Sequence, residues 1–305
     1  MNRSVRSVGD AVLRWSIPQV LFRWRTARKL TVLAYHSIDD EERFAEHLGY
    51  LSKRMHPVTL DEVIAACSDR SPLPERAVLV TFDDADISTS SIASPLLRDR
   101  GIPGVAFVVA GLVDTDLPFW WTEVEELARR LRAEGLAHSS PEAMVRTLRR
   151  APDEHRMAVL ERLRQQHGNG IVRVPQLTSP DLRRLESSGI EVGNHSLTHA
   201  SLARCDDGKI RHEVHEAHRR LSKYLGHGPR SFAYPDGQCD ARVRRAVAQG
   251  GYEVAFLFDH RLNDLRPPDS LAISRVRVDS VTSPARFATI VSGLHPAIHH
   301  ARSRR

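Results

Sequence analysis

An α/β fold built around a parallel sheet or barrel is predicted by three features of this 305-residue chain. Seven apolar runs of strand length recur along it. Most are separated by stretches of helical periodicity, and strands that alternate with amphipathic helices need crossover connections of the kind that build parallel sheets. Polar clusters able to do chemistry stand just after several of the runs, where parallel α/β folds gather their functional residues.

The runs cover 30–35, 77–82, 104–109, 190–195, 231–234, 253–258 and 273–278, each rich in Val, Ile, Leu, Ala or Phe. Helical patterns lie between them at 42–55, 61–67, 209–225 and 241–249. One connection is out of scale: about eighty residues separate Val109 from Ile190, far beyond an ordinary βα loop. Helical patterns at 121–134, 141–150 and 154–167 fill it, followed by the breaker Gly168-Asn169-Gly170, which predicts a helical insertion over 117–180 on the active-site rim. Phe119-Trp120-Trp121 opens it. Adjacent indoles point different ways on a helix, so at least one is expected in the core, and the other could stack on a sugar ring or contact a lipid chain.

Hydrophobic residues at 41% and charged ones at 27% are those of a soluble globular protein, long enough to need no staples. Cys67, Cys205 and Cys239 are odd in number and form no Cys-x-x-Cys, which speaks against a disulfide framework or a zinc ribbon and for thiols in a reducing compartment. The net charge of +6 resides largely in Arg3 to Lys29 and His299 to Arg305, and the middle lacks a basic-aromatic stripe, so nucleic acid is not an expected partner. No run has transmembrane length, and Arg14, Arg23, Arg25 and Arg28 interrupt what a signal peptide would need. A cytoplasmic protein is therefore expected, with peripheral contact at the inner membrane face as an option. Residues 1–29 form a basic, aromatic, amphipathic segment broken at Pro18, suited either to a membrane interface or to packing on the outside of the fold. Residues 30–293 form the main domain, and 294–305 a basic tail.

The chemistry is carried by Thr81-Phe82-Asp83-Asp84 and His195-Ser196-Leu197-Thr198-His199, each ending an apolar run. Adjacent carboxylates and two imidazoles four residues apart can hold one divalent ion and leave one carboxylate free as a base, the minimum for metal-assisted hydrolysis. With 16 His in the chain, a His-x-x-x-His pair arises by chance about once. Context separates the copies: His295 and His299 lie in the tail without a strand or a neighbouring carboxylate. His212, His215 and His218 drift around a helix and read as a solvated face.

Thr81-Phe82-Asp83-Asp84-Ala85, Glu191 through His199, and Arg230-Ser231-Phe232-Ala233-Tyr234-Pro235-Asp236-Gly237 resemble, in order and spacing, the motifs of the polysaccharide deacetylases, carbohydrate esterases with a NodB homology domain. The resemblance spans 30–278 and implies an irregular (β/α)7 barrel. It implies that Asp84, His195 and His199 ligate one divalent metal, zinc first, with Co, Mn, Ni or Fe as alternatives. Asp83 would be the general base, Arg230 would orient it, and the backbone N–H of Tyr234 would help bind the acetyl oxygen. The chain departs from the pattern twice: Ala85 stands where Gly is usual, and no late Leu-x-His supplies the acid. Some members, the poly-N-acetylglucosamine deacetylases among them, carry that His at the end of the first strand, which points to His36 after Val32-Leu33-Ala34-Tyr35, with a pKa raised by nearby carboxylates.

The expected activity is removal of N-acetyl, in preference to O-acetyl, groups from a glycan or saccharide precursor. The alternatives are a deformylase or deacetylase of a lipid-linked sugar at the inner membrane face and, from another class, a non-catalytic carbohydrate-binding barrel.

Overall fold

The structure is a computed structural model that describes residues 17–68, 71–134, 139–167 and 173–297; the first half of the N-terminal segment, the breaker at 168–170 and His299 lie outside them. Helix α1 (Ile17–Arg25) leads into β1 (Lys29–Tyr35), followed by α2 (Glu41–Arg54), the short β2 (His56–Pro57), α3 (Leu60–Cys67) and β3 (Ala77–Phe82). A single π-helical turn runs into α4 (Ser94–Arg98), and β4 (Gly104–Val108) comes next. The long connection contains α5 (Trp120–Ala133), α6 (Pro141–Arg150) and α7 (Asp153–His167). Then α8 (Ser179–Ser187), β5 (Ile190–Asn194), α9 (Asp207–Leu225), β6 (Ser231–Ala233), α10 (Ala241–Gln249) and β7 (Val254–Phe256) alternate. The chain finishes with β8 (Asn263–Asp264), β9 (Val276–Arg277) and α11 (Pro284–Val291).

The sheet runs β7-β6-β5-β4-β3-β1, every neighbour parallel, with Leu33 opposite Val80, Phe82 opposite Ala106 and Val108 opposite Asn194. Its two ends are joined by one segment. Ile273 bridges Phe256 of β7, and three residues later Val276 pairs with Leu33 of β1, so the sheet curls round into an irregular barrel of the seven expected strands.

Strand residues alternate between two apolar layers. Val78, Val80 and Phe82 of β3 join Ala106 and Val108 of β4 against Phe44 and Leu48 of α2 and Leu182 and Leu185 of α8. Ala77 and Leu79 join Val105, Phe107, Val254 and Phe256 in the second layer. Burial on both faces explains why the strands read as continuous apolar runs. The same two-residue period carries Thr81 and then Asp83 towards the Phe107 side.

The insertion has a core of its own, from Val124 and Leu127 of α5 through Val145 of α6 to Leu160 of α7. Arg164 of α7 grips Glu123 of α5 with two hydrogen bonds of 2.7 Å. Thr178 and Asp181 form a capping box that starts α8, a helix of the barrel's outer layer, so the insertion ends before 178 rather than at 180. Trp120 is buried in the insertion and Trp121 faces the site. Pro18 is the second residue of α1, and the residues before Ile17, on which a break at Pro18 depends, lie outside the described ones. Among the described residues no helix is long and apolar enough to cross a membrane.

Candidate active site

The carboxyl ends of the strands surround one cavity of about 450 Å³. His36 follows β1, Asp83 and Asp84 follow β3, His195 follows β5, and Tyr234 follows β6; all line it, together with His199. The insertion contributes Phe119, Trp121 and Arg149 to the opposite wall. Trp121 stacks on Phe119 at 4.5 Å between centroids and meets the His199 ring edge-on at 4.8 Å.

The His loop is held by hydrogen bonds. His195 Nδ1 lies 2.8 Å from the Ala233 carbonyl oxygen, which can only accept, so the proton is on Nδ1 and the Nε2 lone pair is free. That Nε2 lies 3.7 Å from Asp84 Oδ1, and His199 Nε2 lies 3.4 Å from the same oxygen. Between the two His the chain turns sharply, with Ser196 and His199 at positive φ. Its amides are satisfied from inside: Ser196 N–H donates to Asn194 Oδ1 at 2.7 Å, and Leu197 and Thr198 N–H donate to Glu213 Oε2 at 3.0 and 2.8 Å. Glu213 is fully buried on α9, with Lys209 Nζ 3.0 Å away. Sequence reasoning missed it. The signal was an acid inside the apolar stripe Ile210, Val214, Ala217, Leu221.

Asp83 and Asp84 are adjacent but in opposite electrostatic states. Arg275, fully buried, spans both oxygens of Asp83 at 2.5 and 2.9 Å. Burial pushes the Asp83 carboxyl up, but Arg275, His195 and His36 together outweigh it and hold its pKa at about 2. Asp84 has no such partner: burial, then Asp83 and Asp236, push its pKa to about 8, and its buried Oδ1 accepts no hydrogen bond. Burial lowers both His195 and His199, the latter well below its ordinary value, so both imidazoles are neutral. One carboxylate with an unsatisfied oxygen and two neutral imidazoles, with ligand atoms all within 4.8 Å, fit a divalent cation. Among the described residues this is the one such group. Asp84 and Ala85 both take left-handed φ, of 64° and 49°, so the usual Gly is replaced here at a strained position.

Three expectations are corrected. Arg230 is not in the cavity. It precedes β6 and so sits at the amino end of the strands, 39% exposed, paired with Asp61 at 2.6 Å and Glu191 at 2.7 Å; the Arg beside Asp83 is Arg275. The Tyr234 backbone N–H is already committed to the Phe256 carbonyl at 3.1 Å, continuing the β6–β7 ladder, and its hydroxyl donates to the Leu271 carbonyl at 3.0 Å. His36 does enter the cavity, edge-on to Phe258, but burial lowers its pKa, with the pull of Asp83 too weak to reverse this. Asp236 is an addition: its carboxylate lies 3.4 Å from Arg149 of the insertion and accepts from Ser201.

A family model, polysaccharide deacetylase, matches residues 141–255, which include both His ligand candidates. Over that stretch the chain is similar to the polysaccharide deacetylases. The fold agrees. A Streptococcus pyogenes deacetylase, PplD, in complex with acetate superimposes with a TM-score of 0.61 at 16% identity, covering 86% of this chain and 98% of that one. IcaB from Ammonifex degensii gives 0.61 at 22% identity over 88% and 97%. A de-N-acetylase from Aggregatibacter actinomycetemcomitans gives 0.60 at 16% identity over 86% and 99%. No curated protein matches the chain.

Removing Arg275 strands a buried carboxylate, so Arg275→Met should destabilise the fold by about 3–5 kcal/mol at neutral pH and abolish most activity. Because the Asp83 pKa is depressed to about 2, its contribution is present above the ordinary carboxylate range and lost as pH falls towards about 2. The gap in unfolding free energy between wild type and Arg275→Met should therefore narrow on acidification through that window. Arg230→Ala should change stability by no more than about 1 kcal/mol and leave turnover unchanged. Glu213→Ala, which orphans two amides of the His loop, should weaken metal binding by about 10–100-fold in a chelator competition.

Proposed function

We propose that the chain is a divalent-metal-dependent hydrolase that removes N-acetyl groups from an amino-sugar glycan. The reading rests on the division of labour between neighbouring carboxylates, Asp83 clamped by Arg275 and Asp84 open towards two imidazoles. Asp84, His195 Nε2 and His199 would hold the cation, zinc or another first-row ion. When bound, it would polarise the acyl carbonyl and lower the pKa of water.

The chain's own residues supply the rest. Asp83 is ionised at any working pH, and Arg275 fixes its plane, so it is the group placed to take a proton from water. After attack, the amide nitrogen must leave, and it is too basic to depart without a proton. An acetyl ester has no comparable need. His36, a second proton carrier in the same cavity and within the field of Asp83, therefore favours amide over ester hydrolysis. The similar fold of a named de-N-acetylase supports the same choice. The non-catalytic alternative has no use for a buried unpaired carboxylate.

Elemental analysis after reconstitution should give one divalent ion per chain, lost in Asp84→Asn and in the His195→Ala, His199→Ala double variant. Asp83→Asn should keep its metal while deacetylation falls by about 10²–10⁴-fold. Metal lost from Asp83→Asn and kept by Asp84→Asn would reverse the two roles.

His36→Ala should bind metal normally and lose most amide hydrolysis, with a much smaller loss on an activated ester. Since an acid must be protonated and burial lowers this imidazole, the wild-type amide rate should fall as pH rises through a value below about 6.5, and that limb should vanish in His36→Ala. Equal losses on both substrates would make His36 structural.

A further inference from the structure

We propose that α1 is a peripheral anchor that seats the chain on an anionic lipid surface, with the mouth of the catalytic cavity turned away from the bilayer. The anchor itself uses no residue of the cavity; its orientation, and what that says of the substrate, rest on the deacetylase reading.

Among the described side chains of α1, two large apolar groups face outward. Leu21 and Trp24, one turn apart, are 59% and 81% exposed. The polar Thr26 just beyond the helix turns inward instead, its hydroxyl donating to the Ser292 carbonyl at 2.8 Å. Phe22 also turns inward, lining a cleft of about 380 Å³ with Leu262 and Pro296 beneath Arg25. A soluble helix buries its apolar stripe and wets the opposite face; here a Leu and an indole are left in water.

The charges around that face choose the partner. Arg23, Arg25 and Arg28 are exposed beside it, and no Asp or Glu occurs anywhere in residues 11–38. A second copy of the chain would bring a like-charged collar against this one and be repelled. Nucleic acid would satisfy the arginines but offers the isolated Leu21 nothing. An anionic bilayer accepts both: indole and Leu enter the headgroup boundary, and guanidinium groups meet lipid phosphates. The apolar cleft under Arg25 has the same chemistry, a greasy floor with a cation at its lip.

Topology then fixes the orientation. Only three residues separate α1 from Lys29, so the patch lies at the amino end of β1, whereas His36 follows its carboxyl end. A seven-residue strand spans about 23 Å. The cavity therefore opens away from the lipid, out of reach of a sugar joined directly to a lipid phosphate and towards a glycan that projects from the surface. This favours the glycan over the lipid-linked saccharide as substrate.

The full chain should co-sediment with vesicles of phosphatidylcholine containing phosphatidylglycerol, much less with phosphatidylcholine alone, and less in high salt. The Leu21→Glu, Trp24→Glu double variant should bind mixed vesicles at least tenfold more weakly, with an unchanged unfolding midpoint and unchanged hydrolysis of a soluble substrate. Arg23→Ser, Arg25→Ser, Arg28→Ser should lose the preference for phosphatidylglycerol. Bromine-labelled acyl chains should quench Trp15→Phe and leave the vesicle-bound Trp15→Phe, Trp24→Phe protein, which retains Trp120 and Trp121, unquenched. Equal vesicle binding by the double Glu variant would overturn the anchor. So would self-association that the variant abolishes, or tighter binding to an oligonucleotide than to the vesicles. Quenching of Trp120 and Trp121 would overturn the orientation.

Discussion

The ion pair between Arg275 and Asp83 joins the architecture to the chemistry. Arg275 is fully buried on the short segment that closes the barrel. Its Nε donates to the Leu257 carbonyl at 2.9 Å, one Nη reaches Thr81 Oγ1 at 3.3 Å, and both Nη groups hold Asp83. Phe107 and Phe258 lie against the guanidinium at 5.2 and 5.7 Å. Burying both charges is costly, and an apolar pair of the same volume would serve stability as well or better. What an apolar pair cannot do is keep a carboxylate ionised at the foot of the cavity. The closing segment thus brings β3, β7 and β1 together and sets the protonation state of the base in one contact.

Placing unlike carboxylates side by side uses the strand and then breaks it. The two-residue alternation carries Thr81 and Asp83 inward towards Arg275. Continued, it would send Asp84 to the helix side. The left-handed backbone at Asp84 and Ala85 prevents this and brings the second carboxylate round to the imidazoles. The strain is localised where two adjacent residues must face one cavity, a usual place for sparsely populated dihedrals.

The strands were legible because burial on both sides gives unbroken apolar runs, and the ligand candidates because each follows one of them. What escaped was placement across the barrel. Arg230 has the right motif neighbours but precedes its strand, while chemistry collects where strands end, so it pairs with Asp61 and Glu191 instead. Arg275 stands within the last run, 192 residues from Asp83, with nothing in its neighbours to mark the pairing. Sequence order cannot show that 273–277 lies between β7 and β1. The Tyr234 amide is a similar case: its commitment to Phe256 follows from the β6–β7 register, which no single strand reveals.

The insertion is more than a rim. Its own core and the Glu123–Arg164 clamp make it a stiff wall, and it lines the site with Phe119, Trp121 and Arg149. Trp121 buttresses His199, and Arg149 draws on Asp236, one of the charges that push the Asp84 carboxyl up. The indole is already engaged, with Phe119 stacked against it and Arg149 lying over its ring at 5.7 Å. The aromatic pair is a support as well as part of the cavity wall. It holds one imidazole edge-on and keeps Arg149 near the cavity carboxylates.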